Sequence, residues 1–182
     1  MIVIERQLDH NTLAADLRGA FKPDVVHRVE FQAGLSLYKV TESGAATPQE
    51  IAVDALGRVT PWWFSYESVT LRDPQNETVS IRGVADVVES AGRAGAGLKR
   101  YLRTRGAVCH DWNLMTHVLV IALRRRVIGL MGTCSGQPLF HDRVKGRAKT
   151  VDNVRFIGGE QQFYPPGLRV ADVRVIRFGS LA

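Results

Sequence analysis

The pattern of hydrophobic and polar positions predicts a chain that is extended near both ends and helical in its middle. Leu8, Leu13 and Leu17 recur about every four residues before Gly19, which predicts a short helix within residues 4–19. The period then falls to two, so residues 25–31 and 35–41 are predicted strands, and breakers predict a loop over 42–50.

The middle of the chain combines an aromatic strand with helical segments. Residues 57–73 are rich in aromatic and β-branched side chains, which predicts a strand, and a turn follows over 73–77. Glycines interrupt the helical pattern of 83–105 and predict two helices with a bend near 92–97. Asp111 is a candidate N-cap for a further helix through Leu123, with three arginines at its carboxyl end.

The remaining pattern predicts strands at 127–132, 153–159 and 171–179, with a long polar loop after Cys134. Together the elements predict an α+β fold: a single domain over residues 1–182, with mixed or antiparallel sheets and a central helical segment.

Composition narrows the class of protein. The 182 residues are 45% hydrophobic and 23% charged, as in ordinary globular proteins. The two cysteines are too few for a disulfide framework and suit a reducing compartment. Glu5 and Arg6 interrupt the amino terminus before a signal-peptide core, and the most apolar run is broken by arginines. We therefore expect no signal peptide, no membrane segment, and a cytoplasmic location or delivery by a non-classical secretion system.

Charge is distributed unevenly along the chain. Residues 1–90 carry 8 Lys/Arg against 13 Asp/Glu, a net charge of −5, whereas residues 91–182 carry 16 against 5, a net charge of +11. The basic half suits an anionic partner such as nucleic acid, a nucleotide or an acidic protein surface. Alternatively, the two halves neutralise each other across a packed surface.

The sequence Gly-x-Cys-x-Gly around Cys134 formally matches a nucleophile elbow, with His141 as a candidate base. The match fails in context, because an elbow continues into a helix and this segment continues into a polar loop. A buried structural cysteine is the alternative. The five histidines lack the spacing of paired metal ligands, so no metal is expected.

Two further segments are candidates for anion binding. Arg143, Lys145, Arg147 and Lys149 alternate in the loop 143–149, which suits phosphates, although a charge run of this kind is more often simply solvated. The segment 110–113 opens the predicted helix, and Asp111 as a cap accounts for most of its pattern.

Trp62 and Trp63 are adjacent on a predicted strand, so their rings face opposite sides. One ring then borders a cleft and can stack on a flat ring such as nicotinamide, adenine or a base, with the hydroxyls of Ser65 and Tyr66 beside it. Burial of both rings, in a strand covered on both faces, is the alternative.

Three segments taken in order resemble the core of the ADP-ribosyltransferase toxins of the arginine-serine-glutamate type. They are LSLYKV (35–40), WWFSYES (62–68) and EQQFYPPG (160–167). Two depart from that family at the decisive residue, because Lys39 stands where the family has arginine and Gln162 stands where it has the catalytic glutamate. Ser65 matches, and Glu160 is the carboxylate nearest to Gln162.

This resemblance implies an ADP-ribosyltransferase-like fold and a toxin or effector that cleaves NAD, its substrate, as a transferase or glycohydrolase. It implies that Lys39, or Arg28 on a neighbouring strand, holds the diphosphate, and that Trp62 or Trp63 stacks on nicotinamide. Ser65 would brace the site, and Glu160 with Gln162 would bind the ribose. The acceptor would be a protein, a nucleic acid or water, and an inhibitory partner protein is a further expectation. The competing interpretation is a non-enzymatic basic module that binds nucleic acid or an acidic protein.

Overall fold

Two four-stranded antiparallel sheets dominate the computed structural model, which describes residues 1–41, 52–108, 115–138 and 155–180. The strands are β1 (Ile2–Leu8), β2 (Phe21–Phe31), β3 (Ser36–Thr41), β4 (Phe64–Ser65), β5 (Val69–Arg72), β6 (Thr78–Ile81), β7 (His117–Leu123), β8 (Val127–Cys134), β9 (Gln137–Pro138), β10 (Arg155–Phe156), β11 (Gln161–Tyr164) and β12 (Val173–Ser180). The helices are α1 (Ala15–Ala20), α2 (Val84–Arg93) and α3 (Leu98–Arg105), with 3₁₀ turns at His10–Thr12 and Val170–Asp172.

The first sheet has the strand order β1-β2-β8-β11 and the second has the order β12-β7-β3-β4. Every strand pair in both sheets is antiparallel. Strands β5 with β6, and β9 with β10, form two separate ribbons. The predicted α+β fold with antiparallel sheets is therefore confirmed.

The two sheets face each other across the main core. Phe31 and Met131 from the first sheet pack with Leu37 and Ile121 from the second, and all four are buried. A second cluster lies between the other face of the β3–β7 sheet and helices α2 and α3, and includes Tyr38 and Leu102. Burial on both faces explains why strand β7 is almost wholly apolar.

Main-chain bonds join the two sheets at one point. Just before β4, the Trp63 N–H donates to the Phe163 carbonyl at 3.0 Å, and the Phe163 N–H donates to the Trp63 carbonyl at 2.8 Å. This antiparallel bridge sets the end of the second sheet beside β11 of the first. Strands β3, β4 and β11 are consequently neighbours.

Helices α2 and α3 confirm the predicted pair with a bend between them, since α2 ends at Arg93 and α3 begins at Leu98. Gly95 lies in this turn with a φ of 61°, a conformation that glycine adopts without strain. None of the helices in the described part of the chain is long and apolar enough to cross a membrane.

One predicted helix is only partly present and another was wrong. Residues 4–8 of the helix predicted over 4–19 belong to strand β1, whose residues Ile2 and Ile4 are buried in alternation and pair with β2, whereas α1 occupies the end of the predicted range. The helix predicted after Asp111 is instead strand β7 from His117 onward, whose run of β-branched residues pairs on both sides. The predicted loop over 42–50 lies outside the described residues.

Candidate functional site

The three segments that carry the sequence motifs lie side by side. Leu37 and Tyr38 of β3 pair with Ser65 and Phe64 of β4, and the bridge at Trp63 continues this arrangement to β11. The pairing is direct main-chain hydrogen bonding, although about a hundred residues separate the second and third segments along the chain. The strands that carry the three motif segments are therefore adjacent in the structure.

The side chains on these strands divide between two faces. Residues paired across an antiparallel ladder point to the same face, and successive residues alternate. Leu37, Trp63 and Phe163 face the core between the sheets, whereas Tyr38 and Phe64 face helices α2 and α3. The predicted site residues are therefore not all on one face.

Lys39 lies on the inner face. Its Nζ is 5.7 Å from the centre of the Trp63 ring, a cation–π distance, and no carboxylate pairs with it among the described residues. Burial lowers the pKa of Lys39 to about 8, because desolvation disfavours the charged ammonium. This lysine packs on a buried ring instead of facing Glu160.

Ser65 is also directed to the inner face, since it pairs with Leu37. It is 1% exposed, and its Oγ donates to the Glu67 carbonyl at 2.6 Å, which fixes the turn after β4. Tyr66 is half-buried against the cluster under the helices, and its carbonyl accepts from the N–H of Val84 at the start of α2. These contacts give Ser65 and Tyr66 a structural role in the turn after β4 and at the start of α2.

Arg28 is distant from this arrangement. It lies on β2, which pairs with β1 and β8 and not with β3, and its Nε donates to Glu5 Oε2 at 2.6 Å. The prediction that Arg28 occupies a strand next to Lys39 was wrong, because the period-two pattern gave no information on which strands pair.

The two tryptophans face opposite sides, as predicted. Trp63 is fully buried between the sheets, and its Nε1 donates to the Thr60 carbonyl at 2.6 Å. Trp62 is only partly buried, and its ring centre lies 4.7 Å from Tyr164 and 5.8 Å from Phe21. Trp62 is thus the ring with an accessible surface, on the same side of β11 as Tyr164.

Glu160 is the most tightly held of the predicted site residues. It is 3% exposed, and its Oε1 accepts from Arg82 Nη1 at 2.9 Å and from the Tyr101 hydroxyl at 3.0 Å. Its backbone N–H donates to the Arg105 carbonyl, and its carbonyl accepts from the Cys134 N–H. A buried carboxylate needs such partners, because desolvation of an isolated charge is costly.

Arg82 is itself fixed by helix α2. Its Nη2 donates to the Asp86 carbonyl at 2.8 Å and to the hydroxyl of Ser90. The guanidinium therefore links α2 to the start of β11, and Tyr101 adds a link from α3. Sequence reasoning missed both residues, because no local pattern relates them to a carboxylate 78 and 59 positions away.

Gln162 lies on the same face as Glu160, as its two-residue spacing predicts. Its Oε1 is 3.4 Å from the Sγ of Cys134, and the side chain is partly exposed. The Cys134 N–H donates to the Glu160 carbonyl, and the charge of Glu160 acts on the thiol, so Cys134 is near both predicted residues. The structure brings Glu160 and Gln162 together around one buried sulfur.

Cys134 does not have the environment of a nucleophile. Burial, followed by the charge of Glu160, raises its pKa to about 12, so the reactive thiolate is scarce near neutral pH. The chain continues from β8 to the short strand β9 instead of entering a helix. Both findings favour the buried structural cysteine over the hydrolase interpretation.

Tyr38 of β3 adds a further hydroxyl to the polar cluster that Glu160, Arg82 and Tyr101 form. It is 1% exposed, and its hydroxyl has no hydrogen-bond partner among the described residues. Burial and then the charge of Glu160 raise its pKa, while Arg82 acts in the opposite direction. This cluster thus contains the negative charge of Glu160, the positive charge of Arg82, and the neutral hydroxyls of Tyr38 and Tyr101.

The prolines after β11 form a corner. Gly167 has a φ of 70°, and Pro166 and Gly167 with Tyr164 line an open cleft of about 460 Å³ that Val53 and Arg58 border from the other side. On the opposite side of the corner, Gly129 of β8 lies so close that a Cβ there would be 2.5 Å from the Tyr164 carbonyl. The corner therefore ends β11 and packs directly on β8.

Several predicted features lie outside the described residues. They are His141, the basic loop 143–149 and the segment 110–113. Among the described residues, no group of three or more His, Cys, Asp or Glu side chains has an arrangement that could hold a metal ion.

Comparison with known proteins gives little further information. No protein-family model matches the sequence, and no curated protein matches it. The fold is similar to a chain in the solved structure of Tne2 in complex with Tni2, with 11% sequence identity and a TM-score of 0.44. That similarity covers 86% of this chain and 93% of the other, and at this level it supports no argument about function.

Proposed function

We propose that this protein cleaves the bond between nicotinamide and ribose in NAD, as an ADP-ribosyltransferase or an NAD glycohydrolase. The observation that carries the proposal is the adjacency of β3, β4 and β11, which brings Glu160, Gln162 and Trp62 to one side of the sheet. This side is opposite to the core that holds Lys39 and Ser65, so the proposed site does not include those two residues.

In this reaction the bond from the ribose C1′ to the pyridinium nitrogen breaks, and its electron pair stays on the departing nicotinamide. The ribose becomes cation-like, and a fixed negative charge nearby stabilises it. Glu160 supplies that charge, and Arg82 and Tyr101 hold it in place while partly compensating it. An acceptor oxygen then bonds to C1′ and loses its proton.

The partly exposed residues make the direct contacts. The Gln162 amide bonds a ribose hydroxyl, and Trp62 offers its free surface to a flat ring, since its other contacts are with Phe21 and Tyr164. The neutral amide of Gln162 cannot replace a carboxylate electrostatically, which leaves that role to Glu160. Toxin or effector activity and an inhibitory partner protein stay predictions of the family resemblance.

The test is incubation of the purified protein with NAD, followed by chromatography for free nicotinamide. Gln162→Ala is expected to lower kcat/KM by about 10- to 100-fold, as for loss of one hydrogen bond to the reacting sugar. Lys39→Met is the matched control on the opposite face, and it should keep turnover within about 2-fold. Absence of nicotinamide release, together with absence of an NAD-dependent rise in Tm, would overturn the proposal.

A basic binding module is the second candidate, and one observation favours it. Arg124, Arg174 and Arg177 are exposed near the edge strand β12 and have no acidic partner in the part of the chain that the structure describes. Such a surface attracts nucleic acid or an acidic protein. The same incubation separates the candidates, because a binding module releases no nicotinamide.

A further inference from the structure

Arg105 is unusual among the arginines that the structure describes. It is partly buried at the carboxyl end of α3, yet its guanidinium has neither an ion pair nor a hydrogen bond among the described residues. Each other described arginine either has a partner for its side chain or is exposed to solvent. Arg82 and Arg103, for example, are partly or fully buried and have hydrogen-bond partners. Arg100 and Arg174 have none and are exposed.

A guanidinium carries five N–H donors and keeps its charge at all accessible pH values. Partial burial of such a group without a partner costs free energy, so a partner in the functional complex is a reasonable physical explanation. The planar arrangement of the donors matches two oxygens of a phosphate.

The position of Arg105 relates it to the proposed site. Its carbonyl accepts from the Glu160 N–H at 3.0 Å, and Tyr101, one helical turn earlier on the same face of α3, donates to the Glu160 carboxylate. The guanidinium lies against Gly159, where a Cβ would be only 3.0 Å from Nη2. Gly159 has a φ of 108°, so the backbone approaches the guanidinium in a conformation that suits glycine.

We propose that Arg105 binds a phosphate group of a dinucleotide at the mouth of the Glu160 site. This inference rests on the proposed cleavage of NAD and assigns the anion-binding role that the sequence motifs gave to Lys39 or Arg28. Lys39 is on the opposite face and Arg28 is paired with Glu5, whereas the Arg105 guanidinium has no partner in the part of the chain that the structure describes and its backbone adjoins Glu160.

The experiment measures two quantities in the full-length chain: binding of inorganic pyrophosphate by calorimetry, and KM and kcat for NAD by nicotinamide release. Arg105→Leu should weaken pyrophosphate binding about 10- to 100-fold and raise KM by a similar factor, with kcat within about 3-fold. Arg105→Lys keeps the charge and loses the two-point contact, so an intermediate effect is expected. Arg100→Leu, an exposed and unpartnered arginine on the same helix, is the control and should change either quantity less than about 2-fold.

The outcomes distinguish the two proposals. Cleavage of NAD by the wild type with an unchanged KM in Arg105→Leu would overturn the phosphate site and leave the proposed function standing. Pyrophosphate binding that depends on Arg105, without any nicotinamide release, would support the site and overturn the proposed function. Binding of a single-stranded oligonucleotide in place of pyrophosphate, lost in Arg105→Leu, would overturn the dinucleotide assignment. If Arg105→Leu lowers Tm by several degrees, Arg105→Lys provides the comparison.

Discussion

At the scale of single residues, the ion pair between Arg82 and Glu160 is expected to have the largest effect on the free energy of unfolding. The Glu160 side chain is 4% exposed and that of Arg82 is 37% exposed. Removing one partner of a buried pair leaves the other charge desolvated, which costs more than the pair contributes. We expect Arg82→Met to lower the free energy of unfolding by about 2–4 kcal/mol, measured by urea denaturation.

A double-mutant comparison tests the cause of that loss. Glu160→Gln in the Arg82→Met background removes the orphaned charge and should restore about 1 kcal/mol or more. Arg93→Met is the control, because its pair with Glu89 is exposed on both sides, at 70% and 66%, and should cost less than about 0.5 kcal/mol. Equal losses for Arg82→Met and Arg93→Met would contradict a buried role for Arg82.

At the scale of elements, Gly129 allows strand β8 to pack against the corner after β11. A Cβ at this position would be 2.5 Å from the Tyr164 carbonyl, 2.8 Å from the Phe31 ring and 2.9 Å from Pro165. Two of these atoms belong to the backbone, so relief requires the strand or the corner to move. Gly129→Ala is therefore expected to lower the free energy of unfolding by about 2–4 kcal/mol in urea denaturation.

The control for this substitution is Gly179→Ala on the edge strand β12, where nothing lies within 4 Å of an added Cβ. It should change the free energy of unfolding by less than about 0.5 kcal/mol. A Gly129→Ala protein as stable as Gly179→Ala would show that the corner does not constrain β8.

The same scale shows what sequence patterns could and could not predict. The bend between α2 and α3 followed from glycines, and β3 followed from period-two alternation. Strand β7 was predicted as a helix because Val118 and Val120 contact the helices while Leu119 and Ile121 contact the other sheet. When both faces are buried, the hydrophobic pattern has no period that separates strand from helix.

The candidate site, too, could be predicted only in part from the sequence. The family resemblance implied that the three motif segments belong to one core, and the two-residue spacing indicated that Glu160 and Gln162 share a face. The pattern could not show that Lys39 points the other way, because a shift of one residue in register reverses every side chain of a strand. Arg82, Tyr101 and Arg105 come from distant elements, so only the tertiary structure relates them to Glu160.

Across the whole molecule, the charge asymmetry is only partly neutralised. Among the described residues, the ion pairs between the acidic and basic halves are Arg82 with Glu160, Arg93 with Glu89, and Arg126 with Glu30. Two of these, Arg93–Glu89 and Arg126–Glu30, join a base of the basic half to an acid of the acidic half. Most of the excess positive charge on the described residues is therefore left for an anionic ligand or partner.

Lys39 links the stability of the whole molecule to pH. Burial lowers its pKa from 10.5 to about 8 in the folded protein, so the unfolded chain binds more protons between these values. Stability therefore rises with pH in this window, and below pH 8 the folded state carries the full cost of the buried charge. Lys39→Met removes the charge and should stabilise the protein by about 2–3 kcal/mol at pH 7, with the advantage shrinking toward pH 10.

Urea denaturation of the wild type and Lys39→Met at intervals from pH 7 to pH 10 measures this difference. The range stops at pH 10 because Tyr38 and Tyr164 have raised pKa values, so the folded state loses stability as pH rises beyond that point. Lys99→Met, at an exposed position on α3, is the control for the loss of one positive charge. If Lys39→Met and Lys99→Met have the same stability difference from the wild type at every pH, Lys39 is not desolvated. An advantage confined to Lys39→Met and fading with pH would confirm that the Lys39 ammonium is desolvated in the folded protein.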